Sequence, residues 1–303
     1  MKKILVVDGN SLLFRAYYAT SMGNIMQSKD GVYTNALFAM SNMINKVIEK
    51  VDPTHTFVAF DKDAKTFRKE KYEFYKANRS KAPIELVEQF PLARIMLDKM
   101  GLFVCEKSGF EADDLIGTIS TRFENEVDKV VIFSSDKDLL QLVSDKTSVQ
   151  LVKKGISNLE EVTPNFLKEV YKLTPSQIID YKSLCGDKSD NIPGVSGIGE
   201  KGALNLISTY SNLDNIYLNL DNIKGKTKEK LQNDKENAYI SKELATIKKD
   251  VELDLNIDDL KYNGAKEDLR DFYIKYDMFS LAKKVANKKE KKDPDISAVK
   301  DIG

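Results

Sequence analysis

The sequence predicts an α/β fold with a mainly parallel central sheet, followed by an all-helical segment. Three observations carry that reading. Three short apolar runs, Ile4-Leu5-Val6-Val7, Phe57-Val58-Ala59-Phe60 and Val130-Val131-Ile132-Phe133, have the length and unbroken apolar content of strands buried on both faces. Stretches of helical spacing separate them, an alternation that leads to a right-handed parallel sheet. Each run is followed by acid: Asp8 after the first, Asp61 after the second, and Asp136 and Asp138 beyond Ser134-Ser135 after the third. Functional groups in open sheets of this kind gather beyond the carboxyl ends of the strands, so these four carboxylates are expected at one edge.

Taken in order, Asp8-Gly9-Asn10-Ser11 reads as a turn and helix cap, continued by a helix face of Leu12, Leu13, Ala16 and Tyr17. Thr34 to Lys50 is a second helix, rich in Ala, Leu, Met and Ile. Residues 62–81 are strongly basic, with Lys62, Lys65, Arg68, Lys69, Lys71, Lys76, Arg79 and Lys81 interleaved by Phe67, Tyr72, Phe74 and Tyr75. Such a stretch either neutralises phosphates and stacks on unpaired bases or forms a solvated helix face with its rings packed inward; its place just after Asp61 favours the first. Ile84 to Met100 is amphipathic despite Pro91. Gly109-Phe110-Glu111-Ala112-Asp113-Asp114 then crowds three carboxylates into the first turn of a helix whose Leu115, Ile116, Ile119 and Phe123 face a core. One acid there complements the helix dipole, whereas three repel one another near apolar surface unless a cation sits among them.

Beyond this point the pattern turns helical. Thr163-Pro164 and Thr174-Pro175 are helix starts, a cap followed by Pro in the first turn. Asp187 and Asp190, three apart, share a face on a helix or tight turn and are placed to complete the acid cluster. The turn Gly197-Ile198-Gly199, opening a helix with Ala203, Leu204 and Ile207, leaves backbone N–H groups free for a DNA phosphate.

Composition excludes several classes. At 303 residues the chain can bury a core as one large domain or two smaller ones, and its 42% hydrophobic and 31% charged content is that of a globular protein. The apolar run at the N-terminus stops at Asp8, too short for a signal peptide or a membrane span, so a cytoplasmic location without membrane partners is expected. Cys105 and Cys185, 80 positions apart, suggest neither a disulfide framework nor a zinc site, and the single His55 excludes chemistry built on histidine triads. With a net charge of +0, attraction to nucleic acid must come from local basic patches. Carboxylates clustered without His or Cys are ligands for hard cations, Mg²⁺ or Mn²⁺, and a pair of such ions hydrolyses phosphate esters. A haloacid-dehalogenase-type phosphatase also begins with a strand ending in Asp, but its second Asp two positions on is here Asn10.

Asp8-Gly9-Asn10-Ser11, Phe60-Asp61, Tyr75-Lys76-Ala77-Asn78-Arg79, Gly109 to Asp114, Ser135-Asp136-Lys137-Asp138 and Gly186 to Lys201 together resemble the 5′ nuclease domain of bacterial DNA polymerase I, within the flap endonuclease superfamily. The motifs keep the family's order over residues 1–282. The resemblance implies a PIN-like catalytic core at 1–182 with a helical arch near 66–100, a helix-hairpin-helix subdomain at 183–282, and a charged flexible tail at 283–303. It implies a two-metal 5′-3′ exonuclease and flap endonuclease that leaves a 5′-phosphate and a 3′-hydroxyl. The implied substrates are 5′-flap or branched DNA, nicked duplex and RNA-DNA primer junctions, in primer removal and repair, with the protein acting as a monomer.

By the same resemblance, Asp8, Asp61, Glu111, Asp113, Asp114, Asp136, Asp138, Asp187 and Asp190 are the metal carboxylates. Lys76 and Arg79 steer the scissile phosphate, Tyr75 stacks on a base, and Arg15, Gly197, Gly199 and Lys201 contact DNA, with K⁺ expected at the hairpin. A catalytically silent DNA-binding protein would have lost acids that are all present here, and PIN-type ribonucleases are shorter and lack the hairpin. Nothing after residue 282 reads as a proofreading or polymerase domain, which leaves a stand-alone nuclease and a piece of a longer polymerase both open.

Overall fold

The computed structural model describes residues 1–63, 65–153, 155 and 158–290. Among these, six strands form one sheet of order β3-β2-β1-β4-β5-β6. The first five, β1 (Lys3–Asp8), β2 (His55–Phe60), β3 (Val104–Glu106), β4 (Lys129–Ser134) and β5 (Thr147–Val152), run parallel, and β6 (Leu159–Val162) is an antiparallel edge. The strand order reverses between β1 and β4, and in doubly wound sheets such a reversal opens a crevice at the carboxyl ends.

Ahead of β4 lie α1 (Gly9–Thr20), α2 (Asn35–Val51), α3 (Phe67–Lys71), α4 (Ile84–Val87), α5 (Gln89–Lys99) and α6 (Ala112–Phe123). After the sheet come α7 (Pro164–Phe166), α8 (Pro175–Cys185), α9 (Glu200–Tyr210), α10 (Leu213–Leu218), α11 (Gly225–Asn233), α12 (Lys235–Ala245), α13 (Leu269–Lys275) and α14 (Phe279–Glu290). Alternate residues of one strand enter different cores, as a period of two requires. Ile4, Val6, Phe57, Val130 and Ile132 pack with α6 and the downstream helices, whereas Leu5, Val7, Val58, Phe60 and Phe133 pack with α1, α2 and α5. Burial of both faces is what makes these strands unbroken apolar runs. No helix of the described residues is long and apolar enough to cross a membrane.

Three expectations about organisation need correction. A boundary at 182/183 falls inside α8, a continuous helix over Pro175–Cys185. The segment 183–282 is not one body: α13 and α14 leave the other helices and pack on the α2 face of the sheet, where Tyr273 is fully buried and its hydroxyl lies 2.6 Å from Ser41 Oγ. The first residues of the expected tail belong to α14, with Val285 packed on the same core, while 291–303 fall outside the described residues. The stretch expected as the arch holds α3 and, beyond turns at 73–78, α4 and α5.

Gly9 shows how tightly the strand ends are set. A Cβ built there would lie 2.5–2.8 Å from three ring carbons of Phe60, at the end of the neighbouring strand. Gly9→Ala must therefore push β2 away from α1 and is expected to cost about 1–3 kcal/mol. Urea unfolding reads this as a lower midpoint at constant slope, and an unchanged midpoint contradicts the close approach.

Candidate active site

Asp8 ends β1 and caps α1, accepting from Ser11 N at 3.0 Å through Oδ1 and from Ser134 Oγ at 2.6 Å through Oδ2. Ser134, which ends β4, also accepts from Asp136 N at 2.9 Å and lies 3.0 Å from Ser11 Oγ, so one hydroxyl ties the two strand ends together. Asp61 receives Asn10 Nδ2 at 2.9 Å and Ala112 N at 2.7 Å, and its own N–H donates to Asn10 Oδ1 at 3.0 Å. Binding the Ala112 amide draws the first turn of α6 to the end of β2 and brings Asp113 beside the strand-end acids. Asp136 accepts from Asp138 N at 2.8 Å and starts the 3₁₀ turn Lys137–Leu142. Asp8, Asp61, Asp113 and Asp136 line one cleft of about 900 Å³, and Arg15, Lys76 and Arg79 line it too.

A second acid group adjoins the first. Asp138, Asp187 and Asp190 offer carboxylate oxygens within 4.8 Å of one another. The tight turn at 187–192, closed by the Asp187/Ile192 bridge, makes Asp187 and Asp190 face one way as their spacing predicts. Lys182 of α8 pairs with Asp138 and reaches Asp187 at 2.7 Å, and Arg79 pairs with Asp190. Lys182 is a residue that sequence reasoning missed; its only signal is a place one helical turn before Gly186. Asn10, Ser11 and Ser134 were also missed as site residues, although each adjoins an acid that was named.

Two expected roles do not survive. Asp114 is fully buried and its four acceptor positions are filled: Arg68 Nη2 and Lys248 N on Oδ1, Arg68 Nη1 and Glu111 N on Oδ2. No lone pair remains for a metal ion, so Asp114 is a structural anchor. Tyr75 is only 3% exposed and donates to Glu111 Oε2 at 3.1 Å, which leaves no ring face for a base. Arg68, read as part of a phosphate-binding patch, is buried with these acids. Glu111 accepts Lys76 Nζ at 2.8 Å and therefore serves as a seat for that ammonium at the cleft. Lys76 itself adopts φ +55°, an uncommon left-handed conformation for a residue with a side chain, and its N–H donates to Asp190 O at 2.8 Å. The basic turn is thus docked on the acid turn.

The electrostatics set Asp187 apart from the other shifted acids of both groups. Burial pushes Asp8 up to about 6 against the hydrogen bonds from Ser134 and Ser11. Burial, then Asp136 and Asp8, hold Asp113 well above the usual carboxylate range, and burial also raises Asp61. Asp138 is pushed up to about 7 by burial and by Asp136, despite Lys182. Burial works against ionisation of Asp187 as well, but Lys182 and Ser189 outweigh it and bring that carboxyl down to about 2. For Lys76, desolvation opposes the charge, and Glu111 and Asp190 more than offset it. The donors at the strand ends are carboxylate oxygens held close in a dry setting, the set that suits hard divalent cations, and cations there would reverse the upward shifts.

Gly197, Gly199 and Lys201 do not join this cleft. They line a separate one of about 410 Å³ at the start of α9, where Gly197 has φ +77°.

Comparison with known proteins shows the family. A family model described as 5′-3′ exonuclease, N-terminal resolvase-like domain, matches residues 3–172, and one described as 5′-3′ exonuclease, C-terminal SAM fold, matches 173–268. The chain belongs to the 5′-3′ exonuclease family. The two models meet at 172/173, just before α8. Over 264 residues this family member is 44% identical to DNA polymerase I of Bacillus caldotenax and to that of Bacillus subtilis, covering 87% of the chain and 30% of either relative. It therefore spans less than a third of the length of the curated relatives it matches. T5 5′-exonuclease with zinc ions bound superposes with a TM-score of 0.66 at 27% identity, over 80% of this chain and 89% of that one. The catalytic core of Rad2 in complex with DNA substrate shares the fold, with a TM-score of 0.53 at 15% identity over 90% and 86% of the two chains.

The carboxyl shifts predict a pH dependence of stability. Asp8 and Asp138 keep their protons to about 6 and about 7 when folded, but only to about 4 when unfolded. The folded state binds more protons in that window, so without divalent ions stability should fall as pH rises from about 4 to about 7 and level off above. Asp187 acts in the opposite sense but only below its unfolded value, near pH 4. Urea midpoints with chelator and with Mg²⁺ test this: the slope should flatten with the ion, and midpoints independent of pH in chelator contradict the account.

Proposed function

We propose that this family member is a divalent-metal-dependent, structure-specific 5′ nuclease that hydrolyses phosphodiester bonds in DNA and in RNA primers. The observation that carries the reading is the cleft where four strand-end and helix-start carboxylates meet Lys76 and Arg79. Asp8, Asp61, Asp113 and Asp136 would hold one ion and Asp138, Asp187 and Asp190 a second, with Mg²⁺ or Mn²⁺ favoured by the all-oxygen donor set. Ions bound there supply an activated water and neutralise charge developing on the phosphate. Glu111, whose charge acts on Asp61 and Asp113, is engaged by Lys76 as its seat.

The chain's own residues do the rest. Ser134 and Ser11 orient the Asp8 carboxylate, Asn10 orients Asp61, and Lys76 and Arg79, which line the same cleft from their seats on Glu111 and Asp190, present positive charge to the phosphate. Arg15, lining the same cleft, extends the positive rim for the substrate backbone. Flaps, nicked duplex and primer junctions fit a site whose basic turn sits over the acids, and the Gly197–Gly199 turn with Lys201 offers free amides to the duplex backbone. K⁺ at that turn would have to displace Lys230, whose Nζ already donates to Gly197 O at 2.8 Å. Primer removal and repair follow as the setting, with the protein acting as a monomer.

Incubation of the protein with a 5′-flap duplex, single-stranded RNA and intact duplex, with Mg²⁺ and with excess chelator, tests the reading. Metal-dependent cutting at the flap junction is expected. Tight flap binding without cutting would make this a silent binding protein, and preferential cutting of RNA a ribonuclease. Asp136→Asn should remove cleavage by a factor of about 10² or more while flap affinity in chelator stays within about threefold, because it alters the acid wall and leaves the basic one. Lys76→Ala should lower turnover about 10²-fold, as loss of one preorganised phosphate-facing charge does elsewhere. Normal turnover in either variant refutes the role given to that residue.

A further inference from the structure

Arg68 is buried, and each of its five N–H donors has a partner. Nε donates to Leu244 O at 2.9 Å, Nη1 to Glu111 Oε2 at 3.2 Å and Asp114 Oδ2 at 2.8 Å, and Nη2 to Asp114 Oδ1 and Thr246 O, both at 2.8 Å. A lysine has three donors on a flexible stem and cannot fill this set; the planar fork is what the site selects. The acceptors come from two separate parts of the chain. The carboxylates belong to the start of α6, and the carbonyls to the last turn of α12 (Leu244) and the strap that begins just after it (Thr246). That strap is itself fixed on the core by Gln141, which accepts from Ile247 N at 3.0 Å and donates to Ala245 O at 2.9 Å.

The arrangement decides what Glu111 can do. Arg68 and the Tyr75 hydroxyl both occupy Oε2, which turns Oε1 toward Lys76 Nζ at 2.8 Å. Tyr75 is held in turn by an apolar contact group with Ile192 and Leu244, the latter being one of the residues whose carbonyl Arg68 binds. Without the guanidinium, Asp114 would keep only the Glu111 and Lys248 amides, and Glu111 would be held by the Tyr75 hydroxyl and Lys76 alone, with nothing tying it to α12.

We infer that Arg68 is a positioning residue for the phosphate-facing ammonium: it fixes the Glu111 carboxylate as the seat of Lys76 and anchors that seat to the strap after α12. The inference rests on the reading of Lys76 given above, and it adds that the geometry of the basic wall depends on how the downstream helices dock. Arg68 does not touch substrate. It acts through Glu111, and the carbonyls of Leu244 and Thr246 make its orientation sensitive to α12.

The test is a double-mutant cycle on flap cleavage with saturating Mg²⁺. Arg68→Lys should lower kcat about tenfold with KM within about twofold, and in a Lys76→Ala background it should lower kcat by less than about twofold, because the residue it positions is gone. Equal factors in both backgrounds would show that Arg68 only supports the fold and would overturn the inference. If Arg68→Lys does not fold, Arg68→Met combined with Asp114→Asn removes both buried charges together and takes its place in the cycle with the same expected outcomes. A readout independent of cleavage is the NMR signal of the Lys76 side chain, assigned by its loss in Lys76→Ala. It should shift in the Arg68 variant, and an unmoved signal contradicts the inference even if the wild-type protein cuts no flap.

Discussion

Carboxylates gathered at one edge of a sheet lose their water and repel one another, and the rest of this structure depends on how that cost is met. Holding Asp8 ionised at neutral pH, with its carboxyl moved from 3.8 to about 6, costs about 3 kcal/mol, a large share of the stability of an ordinary domain. The chain meets part of it locally. Strand-end hydroxyls, a helix amide and the Asn10 side chain take up lone pairs of Asp8 and Asp61. Asp114 goes further, exchanging any role as a ligand for a complete set of internal partners.

The acids divide accordingly. Asp138, Asp187 and Asp190 have side-chain cations against them, from Lys182 and Arg79, whereas Asp8, Asp61 and Asp136 are held by neutral donors. For Asp187, Lys182 more than offsets burial and brings the carboxyl down, whereas Asp8, Asp113 and, despite the same Lys182, Asp138 stay raised, and there the remaining charge balance is left to a cation from outside. The same logic explains the basic turn. Its lysine is seated on Glu111, largely out of water, and its exposed arginine pairs with Asp190, both lining the cleft they serve.

Much of this was legible in the sequence because strands buried on both faces leave an unbroken apolar signature and the acids that follow them mark the strand ends. The spacing of Asp187 and Asp190 and the glycine turn before α9 read correctly for the same local reason. β5 and β6 did not, since Thr147–Val152 mixes polar and apolar residues although all are buried, and Leu159–Val162 is an acid-bearing edge. Tyr75 and Arg68 misled because a basic and aromatic stretch has one composition whether it faces water or folds inward, and Asp114 because an acid beside the cluster looks the same whether or not its lone pairs are filled. What decides is a pair of backbone carbonyls 176 and 178 positions away from Arg68, and no local pattern reports them. The return of α13 and α14 to the α2 face is likewise a long-range packing choice, sealed by Tyr273 against Ser41.

The central claim is that the strand-end carboxyls hold protons that a divalent cation displaces, and proton release on metal binding measures it most directly. Calorimetric titration of Mn²⁺ into the ion-free protein, repeated in buffers of different ionisation enthalpy, gives the number of protons released per ion bound. With carboxyls at about 6 and about 7 in Asp8 and Asp138, binding at pH 6 should release protons and release should fall away by pH 8. Binding that releases none at pH 6, or no binding at all, would contradict the account.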